Sequence, residues 1–184
     1  MKEILLLILG GVLANNYAFE KLLGVAPMLG YSSKSRKLLA MGLSVTVVML
    51  LTAAIAWPVQ TLLDIYALGY LQILVYVAVI LIVVYLVELV VKAVAHKSLG
   101  VYFPLIALNS AVLGLALENV SEGYGFGQAL AAALGVGLGF LAALYLMAGV
   151  NSRIAQKQVP AAFRGLPIQL LAASIVAMAL VAFK

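Results

Sequence analysis

Few residues in this sequence can do chemistry, and nearly all of them stand within or at the ends of apolar runs. Glu88 lies in Val84-Tyr85-Leu86-Val87-Glu88-Leu89-Val90-Val91. A carboxylate in such a run is costly and must face protein, water or a cation. It suits a step in a proton or sodium path, and equally an ion pair with Lys92 at the helical i,i+4 spacing. Glu118 closes another run, where it suits either solvation or cation entry. Asn15-Asn16 and Asn109-Ser110 put amides and a hydroxyl inside two further runs. Glu88, Asn15, Asn16, Asn109 and Glu118 are therefore the candidates for an ion path. Glu20 and Lys21 are adjacent, so on a helix they face different directions and would pair with other segments or lie at an interface.

What is missing narrows the chemistry further. There is no cysteine and one histidine, His96. Disulfides, Cys-ligated zinc, thiolate-held iron–sulfur clusters and thiol nucleophiles are excluded for this chain, and His-based catalysis has little to work with. His96 in a basic segment reads as a surface residue, and Asp64 in the short segment Pro58–Gly69 has no obvious partner and needs none. A net charge of +5 could suggest nucleic acid. The basic residues, however, are dispersed between hydrophobic runs, which fits a membrane orientation signal better.

The elements that position these residues are dictated by composition. Of 184 residues, 66% are apolar and 9% charged, with a mean hydropathy of +1.21. Soluble domains run at roughly half and a quarter. Crossing a bilayer takes about 20 apolar residues, and runs near 4–30, 37–57, 68–91, 101–118, 127–150 and 165–183 predict six transmembrane helices. The segments after the first, third and fifth runs carry Lys34, Arg36, Lys37, Lys92, Lys97, Arg153, Lys157 and Arg164, against Lys2 and Lys184 on the other face. Positive residues favour the cytoplasm, so both termini are expected outside it. Met1-Lys2-Glu3 before Ile4–Ala14 is not read as a cleaved signal, because its charged region is neutral and cleavage would destroy the first span.

Two runs are interrupted. The first holds Asn15-Asn16, Glu20-Lys21 and Gly24-Val25-Ala26-Pro27-Met28-Leu29-Gly30; the fourth holds Phe103-Pro104 and Leu108-Asn109-Ser110-Ala111-Val112-Leu113-Gly114. Polar and helix-breaking residues at that depth predict broken helices near the midplane, packed in protein or lining water. One interruption opens each set of three runs. The expected fold is thus an all-α integral membrane protein, a single domain 1–184 built of inverted three-helix repeats at about 1–92 and 93–184. Interhelical hydrogen bonding by the asparagines, with Pro27 simply ending span 1, is the plainer alternative. Ala131, Gly135, Gly139 and Ala143 form a small-residue stripe for close packing, within the chain or against another subunit. Gly123-Tyr124-Gly125-Phe126-Gly127 follows no strand and reads as a turn rather than a phosphate loop. Trp57, Tyr66, Tyr70 and Tyr102 near run ends form an aromatic belt.

The order of motifs resembles a known family. Asn15-Asn16, Leu23-Gly24-Val25-Ala26-Pro27, Met41-Gly42-Leu43, Glu88, Phe103-Pro104-Leu105-Ile106, Asn109-Ser110-Ala111-Val112-Leu113-Gly114, Gly123-Tyr124 and Pro160-Ala161-Ala162-Phe163-Arg164-Gly165 are similar, over essentially the whole length, to the A subunits of Rnf (Rsx) ion-translocating electron transport complexes. These form the RnfA/NqrE-like family, the latter name belonging to the sodium-pumping NADH:quinone oxidoreductase. The resemblance implies a six-span subunit of a prokaryotic inner (plasma) membrane. It implies a homologous six-span partner of opposite topology (RnfE/NqrD-like), and Rnf-type flavin and iron–sulfur subunits that carry electrons between ferredoxin and NAD with sodium or proton translocation. No nucleic-acid partner is expected.

The resemblance also implies an intramembrane 2Fe–2S cluster, to which each partner gives two cysteines. Here the matching positions are Ala26 and Ser110. Alanine cannot ligate iron, and serine is a poor substitute for a thiolate. No cofactor is expected to be bound by this chain, and both a natural cluster-less relative and a designed removal of cysteines leave this pattern. The family's acidic residue before Arg153 is also absent, Asn151-Ser152 standing there. The expected function is a non-catalytic membrane subunit of such a translocase, forming part of the electron and ion pathway. A transporter or ion-conducting unit without a redox role, and a packing scaffold, are the alternatives.

Overall fold

The computed structural model describes residues 2–12, 15–25, 35–95, 102–154 and 159–180. Every regular element among them is helical. The α-helices are α1 (Lys2–Val12), α2 (Ser35–Ile65), α3 (Gln72–Ala95), α4 (Tyr102–Ala107), α5 (Ser110–Ser121), α6 (Phe126–Arg153) and α7 (Leu166–Leu180). Among the described residues, three stretches are long and apolar enough to cross a membrane: Leu38–Ile65, Gly69–Ala93 and Phe126–Arg153. Leu105–Ser121 and Leu166–Leu180 are shorter and apolar.

The core is built on α6. Val45, Val48 and Met49 of α2 pack with Phe140, Leu144 and Met147 of α6 in one buried cluster. Small residues let the two backbones approach: Gly42 lies under Leu141, and Gly137 lies against Thr46. The Thr46 hydroxyl donates to the Gly42 carbonyl at 2.8 Å, so no bare polar group enters that contact.

On its other side α6 receives α1. A Cβ on Gly135 would sit 2.8 Å from the Ile8 backbone, and one on Gly139 would strike the Gly11 carbonyl. Ala131 and Ala143 are buried as well. The small-residue stripe is therefore a seat for a helix of the same chain. Its sequence left that choice open, because a smooth face looks the same whichever helix it receives.

One boundary differs from expectation. The second apolar run was expected to end at Trp57, with a loop from Pro58, yet α2 continues as helix to Ile65 with Pro58 inside it. Proline costs one backbone hydrogen bond at that point. The turn beyond it is held by Thr61, whose hydroxyl donates to the Trp57 carbonyl at 3.3 Å. It is held also by Gln60, which donates to Asp64 at 2.8 Å and accepts from the buried Tyr76 hydroxyl at 2.8 Å. Asp64, read as lacking a partner, has one.

α4 ends at Ala107 and α5 begins at Ser110, with Leu108 and Asn109 between them.

Candidate functional site

The Asn16 side chain ties its segment back to α1 and across to α6. Its amide nitrogen donates to the Val12 carbonyl at 3.1 Å and to the Gly139 carbonyl of α6 at 3.0 Å. Its oxygen accepts from the Ala18 backbone N–H at 3.1 Å. Asn16 is buried, so these bonds satisfy groups that lipid could not. Asn15 is exposed; its backbone N–H donates to the Gly10 carbonyl at 2.6 Å.

Asn109 does the same for α5. Its side-chain oxygen accepts from the Ala111 N–H at 2.9 Å, capping the new helix in extended backbone geometry. Its amide nitrogen is buried without a hydrogen-bond partner among the described residues.

The two breaks meet. The segment after Asn16 turns through Leu22 and Gly24, both left-handed at φ 53° and 71°. The Gly24 N–H donates to the Ser110 hydroxyl oxygen at 2.9 Å. A Cβ on Gly24 would lie 2.8 Å from the Asn109 side-chain oxygen and 2.9 Å from the Phe140 ring. Glycine is required there twice over, by the left-handed backbone and by the close approach. Gly139 and Phe140 stand at the centre of the 28-residue α6, so both irregular segments cross at its middle. Ser110 is exposed, and its neighbour Leu108 is 79% exposed, so the crossing opens onto the outside of the chain. Ala26 lies outside the described residues.

The carboxylates fall into two places. Glu118, on α5 beyond the crossing, accepts from the buried Tyr17 hydroxyl at 2.5 Å. The same oxygen is ion-paired with Lys21, whose ammonium also lies 4.5 Å from the Tyr17 ring centre. Glu118 is thus held by the first irregular segment rather than simply solvated. Tyr17 and Lys21 were not singled out as its partners from the sequence. Their i,i+4 spacing was visible, but nothing local links them to a residue 97 positions away. In the turn beyond α5, burial raises the Tyr124 phenol above its ordinary value, and the charges of Glu122 and Glu118 add to this.

Glu88 stands apart, on α3. Its carboxylate is 14% exposed and pairs with Lys92 at 2.8 Å, the i,i+4 pair that the spacing allowed. The structure thus brings together Asn16, Asn109, Ser110 and Glu118, through Gly139, Gly24 and Tyr17. It does not bring Glu88 to them.

The donor chemistry at the crossing can be compared with an iron–sulfur group. Such clusters want thiolates. The chain has no cysteine, the Ser110 hydroxyl oxygen already accepts from Gly24, and no three His, Cys, Asp or Glu side chains gather among the described residues. These residues do not fit the group. Gly123–Gly127 is a helix-to-helix turn: the Tyr124 N–H donates to the Asn119 carbonyl at 2.9 Å, and Gln128 accepts from the Gly125 N–H at 3.0 Å.

An apolar, all-helical chain with three helices long enough to cross a bilayer has the make-up of a membrane protein. The family described as "Rnf-Nqr subunit, membrane protein" matches residues 4–184, and the chain belongs to it. The A subunit of an ion-translocating oxidoreductase complex from Syntrophotalea carbinolica is 44% identical, over 100% of this chain and 97% of the relative. Its counterpart from Azoarcus sp. is 41% identical with the same coverage. The A subunit of the Na(+)-translocating ferredoxin:NAD(+) oxidoreductase complex of Acetobacterium woodii is 38% identical, over 98% of this chain and 96% of the relative.

Proposed function

We propose that the chain is the A-type membrane subunit of an ion-translocating, Rnf-type ferredoxin:NAD oxidoreductase complex. The carrying observation is full-length similarity to relatives so named, at 38% to 44% identity. In this reading six spans form two inverted halves, 1–92 and 93–184, in a prokaryotic inner membrane with both termini outside the cytoplasm. The crossing of Gly24 and Ser110 near the centre of α6 supports a midplane meeting of two broken spans. The homologous six-span partner (RnfE/NqrD-like) covers its open side, and the flavin and iron–sulfur subunits carry the redox chemistry.

This chain's own part is framework and ion path. Asn16 and Asn109 keep the broken helix ends hydrogen-bonded, while Glu118 and Glu88 supply carboxylates along the route. No electron step runs through Ala26 and Ser110, since neither offers a thiolate. That same observation favours a second reading, an ion-conducting subunit without a redox role. Affinity purification of the tagged chain in mild detergent is expected to recover the partner and the flavin and iron–sulfur subunits. Vesicles holding that complex should couple ferredoxin-to-NAD electron transfer to sodium or proton movement. Recovery of the chain without redox subunits, with ion flux intact, would establish the second reading instead.

A further inference from the structure

A groove runs between α2 and α3, walled by Leu43, Val47 and Leu51 of one helix and Leu86 and Val90 of the other. These five side chains are between 42% and 60% exposed, so no described part of the chain covers them. The groove holds about 330 Å³, within the range of about 300–1,000 Å³ usual for small-ligand sites. Its one hydroxyl, on Ser44, already donates to the Ala40 carbonyl at 2.7 Å. Both helices are uninterrupted here, so acyl chains can lie against them with every backbone group satisfied. The depth is that of one leaflet. Leu51 stands midway between Lys37 and Ile65, the end of α2, which puts it at the middle of the membrane. From Lys37 to Leu51 is about 21 Å of helix, half of a bilayer about 40–45 Å thick with its headgroups. Arg36 precedes Leu43 by two helical turns and Lys37 precedes Ser44 by two, so both positions fall in register with the groove. Lys92, in the last turn of the antiparallel α3, lies at the same end but is already paired with Glu88.

We propose that this groove seats one acyl chain of an anionic phospholipid from the leaflet on the basic side of the membrane, with the headgroup at the level of Arg36 and Lys37. The walls recognise only the chain, which is alike in every phospholipid. Selection between headgroups falls to the two basic positions, because a headgroup of no net charge leaves them uncompensated while an anionic one does not. No backbone group in the groove asks for a polypeptide, in contrast to the crossing of Gly24 and Ser110. The site stands apart from the electron and ion pathway: it says which lipid the chain carries, whatever the complex transports.

The purified full chain is reconstituted in phosphatidylcholine vesicles that contain a small fraction of photo-reactive lipid, either phosphatidylglycerol or phosphatidylcholine with the same modified acyl chain. Labelled peptides are read by mass spectrometry. Phosphatidylglycerol is expected to label Leu43–Leu51 about five- to thirty-fold more than phosphatidylcholine, the range for one or two basic residues beside an anionic headgroup. Ile73 and Leu74, exposed at the other end of α3, should be labelled equally by both. Replacing Arg36→Gln and Lys37→Gln together should bring phosphatidylglycerol labelling of the groove down to the phosphatidylcholine level. Val47→Phe, which fills the groove and spares both charges, should remove the preference as well. Equal labelling by the two lipids in the unaltered chain overturns the proposal, and so does a preference that survives either variant. In native membranes a photo-reactive phenylalanine analogue at position 43 should capture lipid. Capture of a polypeptide there assigns the groove to a protein partner and overturns the lipid site.

Discussion

The asparagines bond the irregular backbone of this chain, while Glu118 ties the first irregular segment to α5. Asn16 satisfies two carbonyls and one N–H at once, and removing it strands buried groups at about 1–3 kcal/mol apiece. Asn16→Ala is therefore expected to lower the detergent-solubilised melting temperature by several degrees, whereas Asn15→Ala, exposed at the same turn, leaves it nearly unchanged. Equal effects would mean that the buried bonds carry no special weight. Glu88 makes a different prediction. With Lys92 half-exposed and Glu88 mostly covered, Glu88→Gln is expected to leave assembly intact and to lower coupled ion transport, since a covered intramembrane carboxylate is a functional candidate. Unchanged transport would reduce Glu88 to one half of a helix-surface ion pair. At this scale much was legible in the sequence: amides within apolar runs announce themselves, because lipid does not tolerate them unpaired. The Lys21–Glu118 pair was not, since only the fold brings together residues 97 positions apart.

Among the elements, α6 does most of the positioning, and its glycines show how. Gly135 and Gly139 have no room for a side chain because the α1 backbone is already there. In a membrane, where apolar burial gives no drive between helices, such close approach is what holds them together. Gly139→Ala is expected to destabilise by about 1–3 kcal/mol through overpacking. Gly149→Ala, on the same helix with open space around it, should be neutral or gain up to about 1 kcal/mol of helix propensity. Thermal unfolding of the two variants in detergent separates packing from propensity, and similar shifts would contradict the seating of α1 on α6. The four-residue repeat of small side chains was readable as a packing face. Its partner was not, because shape complementarity is a property of two surfaces and the sequence displays them one at a time. The extension of α2 past Pro58 was hidden for a related reason. Proline signals a helix end locally, and the hydrogen bonds of Thr61, Gln60 and Tyr76 that carry the helix onward come partly from another element.

For the whole molecule, the question is what covers the open side of the crossing. Uninterrupted helices such as α3 can turn Ile73, Leu74, Ile82 and Leu86 outward without penalty, because their backbone bonds are satisfied internally. Non-helical backbone cannot do so. Leu22 and Leu108 are exposed on non-helical backbone, and Ser110 is exposed next to Leu108 and Asn109, so acyl chains are a poor cover and another polypeptide is a good one. The proposed pairing with a homologous partner therefore predicts where that partner lies, from backbone chemistry and without reference to a cluster. A photo-reactive phenylalanine analogue at position 108 should capture the homologous six-span subunit in native membranes, and the same probe at position 82 should capture lipid in its place. The probe at 108 should also capture that partner in a preparation stripped of iron, since hydrogen-bonding need rather than metal ligation brings the two together. Capture at 82 but not at 108 would put the partner on the wrong face for this argument, and capture at 108 that vanishes with iron would return the metal to the interface.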